Sequence, residues 1–422
     1  MLFEAYIAGR LSLRRDADGA KSRSAGSVIA VAGIALAIAI MLLSVAVVTG
    51  FKREIRERLT GFNAPLTVYP VDAFDDTAVS QGITLTDTLA AIFAETVAGA
   101  APELTIRQSA IFKTDDAFQG IVLKGSAGKG LNDFIDRHIV EGLGLPSGNN
   151  LPDSLQSALV VSRKTADALK TAVGDRLTVH FLHDNNMRTR RMTVRGIYDS
   201  HFSEYDALYA FTTPAFLQQL NKVDSMRGSE IELRGIDAMQ APEKAAELDS
   251  RLLAAGLENS GRRRYLVDNV VDSCSLYFNW LSLLDTNVAV IIVLMTLVAA
   301  FTLISSLFII ILERVGFIGL FKAMGATNAA IRRIFIILAE RLVARGLLWG
   351  NVIGLGIMAL QWRFHLIPLD PESYYLDYVP VAFSPGAIIA INLCAVAVST
   401  LVLILPSHLI ARLSPAETMR FE

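Results

Sequence analysis

The chain has 422 residues, with 39 lysines and arginines against 41 acidic residues, a formal net charge of -2, and 52% hydrophobic against 19% charged residues. Charge content below the roughly 25% of soluble domains points to a membrane protein, as does a mean hydropathy of +0.43. The near-zero net charge excludes the strong basic excess of a nucleic-acid binder. Cys274 lies in a mixed segment and Cys394 in an apolar run, so the two cysteines say little about redox compartment.

In residues 1–26, Phe3, Ile7 and Leu11 recur every four positions beside Arg10, Arg14 and Arg15. This predicts an amphipathic segment on the inner membrane surface, with a plain positive anchor as the alternative reading. Residues 27–51 carry no charge and form the first predicted transmembrane helix, a retained signal anchor. Phe51, Ile55, Leu59 and Phe62 continue the helical spacing past the bilayer as a stalk.

Residues 52–284 are expected to hold two stalks and a large α+β extracytoplasmic domain, long enough for two subdomains. Pro65 favours an extended chain into a strand at 66–69. Helices are predicted at 86–98, 163–173 and 242–255, with Gly174 as the left-handed stop of the second. Strands are predicted at 107–113, 120–124, 175–182 and 191–198, the last two joined by a turn at 183–186. A Gly/Pro/Asn-rich loop covers 142–152, and 268–284 leads back to the membrane as the second stalk.

Residues 285–312, 336–362 and 384–410 are the second to fourth predicted transmembrane helices. Asp285 is read as an interfacial residue at a helix start. Gly346, Gly350 and Gly354 form overlapping GxxxG patterns that allow close helix packing. Ser384-Pro385 is a helix-start signal and Pro406 a stop. A short loop over 363–383 and a tail over 411–422 complete the chain. Lysines and arginines cluster before the first span, after the second and at the end, whereas 363–383 has one arginine against three acids. Both termini are therefore expected in the cytoplasm. The fold class is a membrane protein with four transmembrane α-helices, arranged 1+3 around the large α+β domain.

No catalytic constellation stands out. Gly125–Gly130 lacks the spacing of a phosphate loop and is read as a surface turn. His180 and His183 point to opposite faces of a strand and are read as parts of an ordinary hairpin. No span carries a central acid or base, which weakens an ion-driven transporter reading.

Between the second and third spans, residues 313–335 read ERVGFIGLFKAMGATNAAIRRIF. Ile318, Phe321 and Met324 recur at spacings of three, Gly325 ends the pattern, and Thr327 or Asn328 caps the next helix. The spacing predicts a short helix along the inner surface. Its small residues Gly316, Gly319, Ala323, Gly325 and Ala326 allow close approach of another protein. The alternative is a basic loop with a turn.

This stretch resembles the ER-x-x-x-I-G-x-L-K-A-x-G-A signature of the FtsX-like ABC permeases, and the ending ARLSPAETMRFE resembles that family's R-x-x-P-A-E-A-L-R-Y-E. Within the family the likeness is to the lipoprotein-releasing permeases. Val173-Gly-Asp175 and Val194-Arg-Gly-Ile-Tyr198 also look like external-domain features of that group. The resemblance implies a mechanotransmission permease of the inner membrane that extracts lipoproteins for transfer to the outer membrane. It implies a separate ABC ATPase dimer that supplies ATP and Mg, a second permease copy in a homodimer or heterodimer, and no cofactor in this chain. ATPase coupling would rest on Glu313, Val315, Gly316, Ile318, Gly319, Phe321, Lys322, Met324, Gly325 and Ala326. Val45, Val48, Phe51, Leu281, Leu284 and Val288 are candidates to contact the substrate's acyl chains, with ordinary lipid contact as the other reading. Phe317 and Phe321 depart from the family pattern, and no hook-like loop that captures a periplasmic carrier is identified. Other readings are a split efflux system for peptides or antibiotics, or a signalling regulator of cell-wall hydrolases. A region of about 230 residues between the first two spans argues against the last.

Overall fold

The structure is a computed structural model and describes residues 14–15, 21–22, 25–71, 82–97, 99–114, 117–146, 152–183, 186–256, 258–259, 262–313 and 315–403. The predicted amphipathic segment therefore lies mostly outside the described residues, although Arg14–Arg15 and Lys21–Ser22 pair as an antiparallel ladder rather than as a helix. Pro406 and the tail over 411–422 also lie outside them. The chain forms two compact units, one of residues 1–52, 281–367 and 379–422, the other of residues 53–280 and 368–378.

Helix α1 spans Ala25–Phe62, 38 residues. At 1.5 Å per residue that is about 57 Å, nearly twice the roughly 30 Å of a bilayer core, so the predicted stalk is continuous with the first apolar run. The second unit is built on ten strands: β1 Leu66–Pro70, β2 Ala101–Lys113, β3 Phe118–Ser126, β4 Ile139–Gly142, β5 Ala158–Ser162, β6 Arg176–His183, β7 Asn186–Tyr198, β8 Tyr209–Thr212, β9 Glu230–Arg234 and β10 Tyr265–Asn269. Their pairing closes a ring, β2-β3-β8-β5-β7-β6 and back to β2, with β4 on the rim of β7. A closed ring removes exposed strand edges. Phe112, Leu123, Val161, Val179, Phe181 and Val194 fill it. The strand β2 belongs to two structures at once. Its Ala110–Lys113 end closes the barrel against β6, and its Ala101–Thr105 end continues through β9 and β1 to β10 as an open sheet. Helices α2 (Asp87–Thr96) and α6 (Ala241–Ala254) cover that sheet over a second core of Leu66, Val68, Phe93, Ile231, Leu233 and Leu248. Two cores thus lie along one sheet within a single compact unit.

Three local expectations need correction. Helix α4 (Arg163–Leu169) stops four residues before the predicted end, because Lys170 itself adopts the left-handed cap at φ 51°. Gly174, at φ 97°, instead turns the chain into β6. The Gly125–Gly130 segment is not a surface turn: Gly128 is the N-cap of helix α3 (Lys129–His138), which the sequence reading missed. The 363–383 loop is partly structured, with residues 368–378 joining the second unit.

The first unit holds α1 with α7 (Ser275–Glu313), α8 (Val315–Ala323), α9 (Asn328–Phe364) and α10 (Pro385–Val402). Among the described residues, α1, α7, α9 and α10 are long and apolar enough to cross a membrane. The start signals act as expected: Ser384 accepts from Ala387 N with Pro385 at the first turn, and Thr327 accepts from Ala330 N at the start of α9. Asp285 is not at a helix start, since α7 begins ten residues earlier; it forms a 2.5 Å ion pair with Lys52 of α1.

Candidate functional site

The end of α1 is seated in the second unit by buried charge. The last four carbonyls of a helix lack partners within it and carry partial negative charge. Here Arg234 Nη1 donates to Thr60 O at 2.9 Å and to Gly61 O at 3.2 Å. Lys124 Nζ donates to Phe62 O at 2.6 Å. Glu232 bridges both cations, at 2.5 Å from Lys124 and 2.8 Å from Arg234, and Glu103 lies 3.4 Å from Arg234 as a second anion. Arg107 lies 3.3 Å from Glu232 and 2.6 Å from Glu230. Lys124 and Glu232 are completely buried. Burial pulls the Lys124 ammonium down to about 8, with Glu232 opposing. The three surrounding cations outweigh burial at Glu232 and hold its carboxyl far below the ordinary range.

Aromatic packing completes the seat. The Phe62 ring lies 4.9 Å from Phe134 and 5.1 Å from Tyr205, centroid to centroid, with Tyr209 and Phe211 around it. A Cβ on Gly61 would fall 2.2 Å from the Phe134 ring, so glycine is what lets α3 close on the helix end. The N-terminus of α3 is satisfied internally. Gly130 N donates to Glu103 Oε1 at 2.6 Å, and a Cβ on Gly128 would lie 2.0 Å from the Glu103 carboxyl carbon. The position a phosphate would take is thus filled by this chain's own carboxylate.

The root of the second stalk meets the first. Val270 N donates to Pro65 O at 3.0 Å. Tyr205 Oη lies 3.2 Å from Cys274 Sγ and accepts from Asn63 Nδ2 at 3.2 Å. Arg58 donates to the Ser200 carbonyl, and Ser200 Oγ donates to Asp206 Oδ1 at 2.6 Å. Burial raises the Asp206 carboxyl to about 7, against the pull of its Ser200 hydrogen bond. A carboxyl raised on folding stabilises the folded state fully below its unfolded pKa near 4, and that stability is lost as pH rises through about 7. Asp206→Asn is therefore expected to flatten the fall in unfolding free energy between pH 4 and 7 by up to about 4 kcal/mol relative to the unaltered chain, measured by denaturant unfolding at several pH values. An unchanged slope refutes the assignment.

In the first unit the three glycines of α9 lie against α1. Cβ atoms on Gly346, Gly350 and Gly354 would lie 2.6 Å from Ile34, 2.7 Å from Ile38 and 3.2 Å from Leu42 of α1. The rising order on both helices makes α1 and α9 parallel. A Cβ on Gly33 would meet Thr302 at 2.5 Å and one on Gly26 would meet Ile309 at 3.1 Å, so α7 runs antiparallel to α1. Two residues outside the sequence reading join α9 to α10. Asn351 and Asn392 exchange side-chain hydrogen bonds at 2.7 and 3.0 Å. Such pairs act as polar glue where lipid offers no partner; lone asparagines in apolar runs were the available signal.

Of the acyl-chain candidates, Val45, Val48, Phe51, Leu284 and Val288 are half-buried, whereas Leu281 is fully buried. The coupling candidates divide by face. Ile318 and Gly319 are buried, and Ile318 sits in the core with Leu307, Ile331 and Phe335. Phe321 and Ala326 pack partly against that core, and Val315 and Lys322 are half-buried. Glu313, Gly316, Met324 and Gly325 are exposed. The single side predicted for Ile318, Phe321 and Met324 is therefore split, Met324 facing away. The outward stripe is Gly316, Leu320, Ala323 and Met324, with Leu320 and Met324 58% and 65% exposed. The three-residue spacing of Ile318, Phe321 and Met324 does not single out Leu320, which lies on the outward face of α8. Gly325, at φ 90°, makes the turn into α9 with nothing near its Cβ position.

His180 bonds Thr189 across the β6–β7 hairpin at 2.9 Å. No cluster of three or more metal-ligating side chains occurs among the described residues.

Residues 27–250 match the MacB-like periplasmic core domain family, and residues 289–415 match the FtsX-like permease C-terminal family. Over 414 residues the chain is 23% identical to the lipoprotein-releasing system transmembrane protein LolC of Xylella fastidiosa strain Temecula1, covering 94% of each chain. It is 25% identical over 419 residues to LolC of Neisseria meningitidis serogroup B, again covering 94% of each. To LolE of Haemophilus influenzae it is 24% identical over 204 residues, 46% of each chain. The membrane helices, the two-core domain between the first pair and the glycine-marked helix after the second accordingly belong together: this chain is a member of the FtsX-like ABC transporter permeases with a MacB-like periplasmic core, related to the lipoprotein-releasing permeases.

Proposed function

We propose that this permease is the transmembrane subunit of a transporter that extracts lipoproteins from the bacterial inner membrane for transfer to the outer membrane, by mechanotransmission. The observation that carries this reading is the seat of α1. A helix long enough to cross a bilayer ends with its last carbonyls gripped by two buried cations and its last ring locked among aromatics. A displacement of the helix therefore reaches the domain with little slack. The spans run 1+3, both termini are cytoplasmic, and the domain faces the periplasm, as the distribution of lysine and arginine favours. The ATP-binding partner is a separate ABC ATPase dimer that holds the nucleotide and Mg. A second permease copy, the same or different, completes the transporter, and a periplasmic carrier receives the cargo. The outward stripe of α8 supplies the ATPase contact: two exposed apolar side chains beside two small residues suit an apolar groove. Ile318 and Gly319 act behind them, tying α8 to α7 and α9. The acyl chains of the lipoprotein contact the half-buried residues where α1 and α7 leave the apolar layer, Val45, Val48, Phe51, Leu284 and Val288.

Depleting the chain is expected to leave mature lipoproteins in the inner membrane. Re-expression of the unaltered chain restores sorting, whereas a Leu320→Glu/Met324→Glu variant does not and loses ATPase co-purification by more than tenfold. Normal sorting on depletion removes the lipoprotein reading; normal co-purification of the variant removes the α8 contact.

A further inference from the structure

Helices α1 and α9 leave a groove of 530 Å³ whose walls include Val31, Ala35 and Ala39 on one side and Arg345, Trp349 and Ile353 on the other. That volume is in the range of small-molecule sites. Its lining is apolar except for Ser27 and Arg345, and Arg345 is the one charge in it. Among the described residues Arg345 has no hydrogen-bond or ion-pair partner. Its neighbour Gly346 packs on Ile34 and approaches Val31 O. Arg345 therefore lies about one turn inside the charge-free stretch that opens at residue 27, at the edge of the apolar layer. Helical side chains point back toward the N-terminus, so the guanidinium can reach the headgroup level while its stem stays in the groove. Trp349 follows one turn deeper and is 55% exposed, the placement of an interfacial aromatic.

An occupant must be apolar along most of its length and anionic at one end. A second copy of this chain supplies the first property, but the charge-free parts of its apolar helices, residues 27–51, 286–312, 346–362 and 385–402, bring no aspartate or glutamate; acids such as Glu313 and Glu340 lie outside them. A phospholipid with a net negative headgroup supplies both. We infer that the groove is a binding site for an anionic phospholipid, its phosphate on Arg345 and one acyl chain along Val31, Ala35 and Ala39. Guanidinium–phosphate hydrogen bonds are charge-assisted and strong, and basic pockets between membrane helices are suited to acidic headgroups. The site lies beside the Gly346–Gly354 contact, so an occupant seals the seam between α1 and α9. Assignment to the cytoplasmic leaflet rests on the orientation proposed above; the binding itself does not.

The test is native mass spectrometry of the full chain, delipidated in detergent and titrated with phosphatidylglycerol or phosphatidylcholine. Phosphatidylglycerol is expected to be retained by the unaltered chain and by Arg345→Lys, and about tenfold more weakly by Arg345→Gln. Arg363→Gln, at the other end of α9, should leave retention unchanged. Equal retention of the two lipids, or undiminished phosphatidylglycerol binding by Arg345→Gln, overturns the site. So does efficient cross-linking between two copies through cysteine introduced at Ile353 with Cys394 replaced by serine, which would assign the groove to a second permease. None of these readouts depends on lipoprotein release, so the site and the proposed transport function fail separately.

Discussion

Glu232→Gln is expected to destabilise the periplasmic core domain by about 3–5 kcal/mol, the range for removing one partner of a buried ion pair. Glu232 is the only carboxylate within ion-pair distance of Lys124 among the described residues, and both side chains are completely buried. Arg107 keeps Glu230 and Arg234 keeps Glu103 after the substitution. Lys124 keeps only the Phe62 carbonyl, so it must either remain charged without compensation or give up its proton. With its pKa already lowered to about 8 by burial, the second course is the cheaper at neutral pH. Unfolding by urea, followed by protease resistance of the domain, reads the loss. The solvent-facing Arg251 pair with Glu247 and Glu95 provides the comparison: Arg251→Met should leave the unfolding midpoint close to that of the unaltered chain. Hydrogen exchange adds a local readout, because loosening Lys124 and Arg234 from the carbonyls of Thr60, Gly61 and Phe62 should speed exchange in the last turns of α1. A loss below 1 kcal/mol with unchanged exchange would falsify the seat as the source of the domain's grip on that helix.

Gly350→Leu is expected to be the most disruptive single change in the membrane unit. A Cβ at that position already lies 2.7 Å from Ile38 Cβ and 2.9 Å from Ala35 O. One of those contacts is backbone, so side-chain rotation cannot relieve the overlap; α1 and α9 must separate. Overpacking typically costs about 1–3 kcal/mol, and a leucine on a seam built from three glycines should reach or exceed the top of that range. Gly356→Leu is the control, since nothing lies within 4 Å of its Cβ position. Heating in detergent and measuring the fraction that stays monodisperse separates the two variants. Equal stability of Gly350→Leu and Gly356→Leu contradicts the packing described for α1 and α9.

The function class was legible in the sequence because its signals are local or motif-like. Charge-free stretches mark the apolar helices, and a helix cap needs only its own turn, so Thr327 and Ser384-Pro385 are used as expected. The signature at 313–326 identified the permease family before any contact was known. The seat of α1 was not legible. Glu230, Glu232 and Arg234 alternate along β9 like the solvent face of an edge strand, yet all three are buried. Alternation separates the faces of a strand but does not say what covers each. Covering depends on β2 pairing with β9, whose residues are more than a hundred positions away in sequence. The same limit explains α8, where the spacing gave a helix but not which stripe faces inward; Ile318 goes in because α7 and α9 close over that side.

By itself, then, the sequence determined what kind of segment each is: long apolar helices, an α+β domain after the first of them, and a glycine-marked helix after the second. These follow from hydropathy, spacing and capping over a few residues. Only the tertiary structure decided which polar groups are taken out of water and which apolar ones are left to face it. Lys124 and Glu232 become a lock on a helix end, whereas Arg345 and Leu320 stay exposed. Burial is a property of distant chain segments meeting, and no local pattern carries it.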